Sequence, residues 1–97
     1  MGHAMERTGT PISEVADRLV EMYARPFGGK KTGRYRIAAK LLRQISGRRR
    51  LYEDDIGELG RELFERGYVM IDMETFFVVL SANTFVNYRR ANEDCVE

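Results

Sequence analysis

The stretch Tyr52 to Leu80, YEDDIGELGRELFERGYVMIDMETFFVVL, constrains the rest of the chain, because its hydrophobic period switches from helical to extended within a few residues. Tyr52, Ile56, Leu59 and Leu63 recur at three- and four-residue steps, which places them on one face of a helix. Gly67 follows Arg66 directly. A glycine there can take the left-handed conformation that ends a helix, and a basic residue suits the last turn. Beyond it, Val69 and Ile71 alternate with Tyr68, Met70 and Asp72, and after Met73-Glu74-Thr75 comes Phe76 to Leu80, a run of residues that favour strands. The spacing therefore predicts a helix, a sharp stop and a β-hairpin, against which everything else must pack.

Thr10-Pro11 reads as a helix start: a capping side chain, then proline where its missing donor costs nothing. Ile12, Val15, Ala16, Leu19, Val20 and Tyr23 form one apolar stripe, and Pro26 stops the helix. Phe27 to Gly33 is a glycine-rich loop, Arg34 to Ile37 a short strand. Ala38 to Ser46 is a short helix with Ala38, Leu41, Leu42 and Ile45 at core spacing and Gly47 as its stop. After the hairpin, Ser81 to Asn92 is expected to form a last short helix capped by Asn83, with Phe85 and Tyr88 packing back. Residues 1–9 and 93–97 read as loose tails around a single domain over 10–92; Met1 to Ala4 read as a cloning remnant, which would make Met5 the native start.

The resulting order, helix–strand–helix–helix–β-hairpin with a short C-terminal helix, is α+β and resembles the winged-helix (winged helix-turn-helix) superfamily over residues 11–80. Ile56, Leu63 and Gly67 followed at once by the strand Tyr68 to Asp72 carry the resemblance. Members of that superfamily that bind DNA place the third helix in the major groove and touch the backbone with the wing. Three features of this chain depart from the pattern. The connection from Gly47 to Ile56 is long, as if Arg48-Arg49-Arg50 were inserted. The third helix opens on Glu53-Asp54-Asp55, and the wing tip Met73-Glu74-Thr75 has no basic residue. Helix and wing would both bring negative charge to phosphate.

Charge is where function is most legible. Lys30, Lys31, Arg34, Arg36, Lys40, Arg43, Arg48, Arg49 and Arg50 form a run that no acid interrupts, whereas Glu53 to Glu74 is predominantly acidic. Such a basic set neutralises phosphates and gives affinity without sequence information. Its plain alternative is a solvated face balanced by the acidic helix of the same molecule; an acidic protein partner is a third reading. Glu53, Asp54, Asp55 and Glu58 read as helix-dipole capping rather than a metal site, since they lack the spacing and glycine of a calcium loop. Gly29-Lys30-Lys31-Thr32 fails as a phosphate loop, because Lys31 stands where Ser or Thr is required. The single histidine, His3, and the single cysteine, Cys95, lie in the two tails without a base or orienting partner, so no catalytic residue, metal or cofactor is expected.

Gly57 and Gly60 lie three apart inside the long helix, where each costs about 1 kcal/mol against alanine. Either the first helix or a second subunit should approach them closely. Met70, Phe76 and Val78, with Phe77 and Leu80, make the hairpin apolar on both faces, so a last helix or a dimer partner should cover the second one. No apolar run is long enough for a membrane span, no signal segment is evident, and one thiol cannot make an internal disulfide; the expected location is cytoplasmic. The leading expectation is a non-enzymatic winged helix that binds double-stranded DNA through phosphate contacts, as a bacterial-type regulator or accessory factor. The alternative is a protein-interaction winged helix, with Gly57, Gly60, Met70, Phe76 and Val78 as a docking or homodimer surface.

Overall fold

The computed structural model describes residues 9–96. The expectations for residues 1–8 and for Glu97, including the native start and His3, lie outside them. Helix α1 spans Ile12–Ala24, strand β1 Tyr35–Ala38, helix α2 Ala39–Ser46, helix α3 Glu53–Glu65, strand β2 Tyr68–Asp72 and strand β3 Phe76–Ser81. Among the described residues the class is α+β: three α-helices and a three-stranded antiparallel sheet in the order β1-β3-β2. Tyr35 pairs with Val79 and Ile37 with Phe77 on one side of β3; Met70 pairs with Val79 and Val69 with Leu80 on the other.

One apolar cluster joins the layers. Ile12, Val15, Ala16 and Leu19 of α1, Leu42 of α2 and Leu59 and Leu63 of α3 meet Tyr35, Ile37, Phe77 and Val79 of the sheet. The period-2 pattern decides which strand residues take part, since alternate side chains point to opposite faces. At the far end of α3, Gly67 adopts φ 90° and its amide donates to the Phe64 carbonyl. Arg66 does more than suit the helix terminus. Its guanidinium donates to Glu62 Oε1 at 2.8 Å and to Asp17 Oδ1 at 2.9 Å, linking α3 to α1. The hydrogen bond to Glu62, then that to Asp17, raises its already high pKa further.

The structure corrects five expectations. Helix α1 has Pro11 at its cap position with no side-chain cap. Instead, the Thr10 amide donates to the Ser46 carbonyl, and Gly9, expected in the loose tail, lies against the end of α2. In α2 the buried stripe is rotated: Leu41 is 44% exposed, whereas Ser46 is buried with its hydroxyl donating to the Arg43 carbonyl. The expected α3 stripe begins one turn early, since Tyr52 sits at the extended cap position and is 60% exposed. The expected helix from Ser81 to Asn92 is only a 3-10 turn, Ala82–Phe85, and Ser81 rather than Asn83 caps it, its hydroxyl accepting from the Asn83 amide. Finally, the expected frayed end contains a second, exposed 3-10 turn, Glu93–Val96.

Tyr35 ties the sheet to α1. Its hydroxyl donates to the Leu19 carbonyl at 2.6 Å, and burial pushes the phenol well above its ordinary value. The folded state thus holds this proton more tightly than the unfolded chain. The resulting stability is fully present below the unfolded tyrosine value of about 10 and is lost as pH rises beyond it. Tyr35→Phe should cost about 0.5–1.5 kcal/mol at neutral pH through the lost hydrogen bond. It should also flatten the alkaline decline in urea midpoint; an unchanged decline would assign that loss to other groups.

Candidate nucleic-acid interface

The basic run does not form one surface. It divides because β1 and α2 carry successive parts of it to different places. The first part lines an open groove of about 520 Å³ built from the loop after α1 and the start of β1. Lys30, Arg34 and Arg36 line it together with Arg25, which lies outside the run, and with Phe27 and Tyr35; no acid is among the lining residues. Phe27 and Lys30 exchange both backbone hydrogen bonds across Gly28-Gly29, at 2.9 and 3.0 Å. Both glycines have positive φ, 61° and 82°, which this two-residue reversal requires and most side chains resist.

The second part lines a groove of about 490 Å³ between α2, the α2–α3 connection and the hairpin. Arg43, Arg49 and Arg50 line it along with Asp72 and Glu74, over apolar side chains that include Leu51, Ile56 and Phe77. This groove is charged on both sides. The hairpin tip holds its acids in place: the Glu74 amide donates to Asp72 Oδ1 at 2.8 Å, with Glu74 itself at φ 71°. Arg50 lies over the Tyr52 ring at 5.9 Å and Arg36 over the Phe76 ring at 5.3 Å, contacts that leave the guanidinium edges available for hydrogen bonding.

Arg48 bonds within the fold. Its guanidinium donates to the Thr10 carbonyl at 2.7 Å and to the Ser46 carbonyl at 3.1 Å. The reason is local: Gly47, at φ 68°, ends α2 in a Schellman turn, with the Arg48 amide donating to the Arg43 carbonyl and the Gly47 amide to the Gln44 carbonyl. That turn aims Arg48 back at the helix end. Lys31 and Lys40 are exposed and line neither groove. Among the described residues the only ion pairs are those of Arg66 with Asp17 and Glu62, so no basic side chain from Lys30 to Arg50 is paired with an acid.

The acids of α3 divide too. Asp55 accepts the Tyr52 amide at 3.1 Å as an N-terminal cap, while Glu53, Asp54 and Glu58 are exposed. The glycine face of α3 is not packed on α1: a side chain at Gly60 would meet nothing within 4 Å, and one at Gly57 only the Arg61 guanidinium. Gly57, Gly60, Phe64, Val69 and Met70 instead line a shallow, mostly apolar groove of about 450 Å³. Phe76 and Val78 lie on the opposite side of the sheet, by their register with Ala38, Arg36 and Ile71. The five expected interface residues therefore belong to two surfaces. Phe85 and Tyr88 pair edge to face with ring centres 5.2 Å apart, yet Tyr88 remains 62% exposed, so its ring is not packed into the fold as expected.

Among the described residues, no helix is long and apolar enough to cross a membrane. The chain matches no known family model, and no similar curated protein or solved structure was found.

Proposed function

We propose that the chain is a non-enzymatic winged-helix protein that binds double-stranded DNA through phosphate contacts, as a regulator or accessory factor in the cytoplasm. The observation that carries this reading is the absence of ion-pair partners, among the described residues, for the whole basic run. Unpaired surface cations are the groups that exchange counterions for phosphates at no cost in broken internal pairs. Lys30, Lys31, Arg34, Arg36, Lys40, Arg43, Arg49 and Arg50 are the contacts; Arg48 holds the scaffold beneath them. Element order supports the winged-helix assignment, with β2 and β3 as the wing. Acids at the start of α3 and at the wing tip disfavour base readout by either, so affinity should be largely independent of sequence.

The test is fluorescence anisotropy of an arbitrary blunt duplex against salt. Four or more phosphate contacts give a log–log slope of about −3.6 or steeper. No measurable binding at low salt would remove the proposal. The apolar groove beside Gly57, Gly60 and Phe64 supports a second reading, a homodimer face. Sedimentation at micromolar concentration separates the two: a dimer that Phe64→Lys converts to a folded monomer supports self-docking, and a wild-type monomer rules it out.

A further inference from the structure

The loop groove contains an aromatic ring that duplex binding does not use. Phe27 is 43% exposed and stands among Arg25, Lys30, Arg34 and Arg36 with no acid in the lining. Two constraints hold it there. Because Phe27 and Lys30 exchange both backbone hydrogen bonds, they form a directly opposed pair whose side chains leave the small hairpin on the same side. The Phe27 ring also meets the Tyr35 ring edge to face, centres 5.4 Å apart, and Tyr35 is itself pinned to the Leu19 carbonyl. A fixed, half-open ring thus sits beside an ammonium group, and Arg34 and Arg36, two residues apart on extended chain, project to a common side. The groove volume of about 520 Å³ falls within the range of about 300–1,000 Å³ usual for small-ligand sites.

In a duplex the base faces are stacked on one another, and only base edges and the sugar-phosphate backbone are exposed. An unpaired base has a free face, and proteins that take single strands combine a cationic track with an aromatic platform. We propose that this groove binds single-stranded nucleic acid, with one unpaired base stacked on Phe27 and the flanking phosphates held by Lys30, Arg34 and Arg36. The site shares Lys30, Arg34 and Arg36 with the proposed duplex contacts, and Phe27 is the residue that only the single strand uses.

The chain has no tryptophan, so Phe27→Trp places one reporter in the groove. An oligothymidylate or oligouridylate of about 12 nucleotides, within the site sizes of such proteins, should quench its fluorescence, and a blunt duplex should not. Phe27→Leu keeps an apolar side chain but removes the ring. It should weaken single-strand binding roughly 5- to 150-fold, the loss expected for one stacked base, with duplex affinity unchanged and the thermal midpoint lowered only by the lost edge-to-face contact with Tyr35. Any of three results would overturn the proposal. These are no quenching by either strand, equal quenching by the duplex, and a Phe27→Leu variant that binds single strands like wild type. Free thymidine monophosphate quenching as well as the strand at equal concentration would also overturn it, in favour of a mononucleotide site.

Discussion

Replacing Leu63 by alanine should lower the unfolding free energy by about 2–5 kcal/mol, the loss typical of a buried leucine that leaves a cavity. Leu63 is fully buried, on the face of α3 that packs against α1 and the sheet. A domain of this size has a total stability of roughly 5–15 kcal/mol, so the variant stands to lose a large part of it. Leu41→Ala is the matched control: its side chain is largely outside the core, and the change should stay within about 0.5 kcal/mol. Urea titrations with an unchanged m-value check both. A Leu63 loss below about half a kcal/mol would mean that the wrong face of α3 has been assigned to the core.

The second large effect separates two kinds of arginine within one triplet. Arg49→Ala with Arg50→Ala should weaken duplex binding and flatten the salt slope by about 1.8, two contacts' worth, while leaving stability nearly untouched. Arg48→Ala should do the reverse. It strands the Thr10 and Ser46 carbonyls that the guanidinium now serves, a loss of about 1–3 kcal/mol, and it should leave the salt slope unchanged at temperatures where the variant is folded. If both variants shift binding alike, Arg48 is a phosphate contact and its carbonyl bonds are secondary.

How much of this was legible in the sequence depended on periodicity and length. Helix α3 and the hairpin were readable because thirteen helical residues and two strands repeat their periods long enough to be unambiguous. In α2, eight residues give barely two turns, so a stripe shifted by one position fits the same apolar residues. The structure settles it by starting the helix at Ala39, which turns Leu41 outward and brings Ser46 in. The segment after Ser81 failed as a helix for a different reason. Asn83, Thr84, Val86 and Asn87 are poor helix formers.

For the candidate site, the basic residues were readable but their division was not. A run in sequence says nothing about the turn between β1 and α2, or about Asp72 and Glu74 returning across from Arg43, Arg49 and Arg50. Arg25 was missed because it precedes Pro26, outside the run. Its closeness to Phe27 and the glycine pair was the available signal.

The sheet order has a consequence for synthesis. Strands β1 and β2 do not touch; each is hydrogen-bonded only to β3, the last strand of the three in the chain. Until Phe76 to Ser81 leave a ribosome, the two earlier strands have no ladder to join, and a helix-only intermediate leaves the sheet-facing side of the helical core, including that of Leu59 and Leu63, uncovered. At elongation rates of about 5–20 residues per second, that wait lasts seconds, long compared with hairpin closure in microseconds. The nascent chain therefore depends on its central strand arriving last, and a stall just before Phe76 would leave the apolar half of the molecule open to chaperones and to other chains.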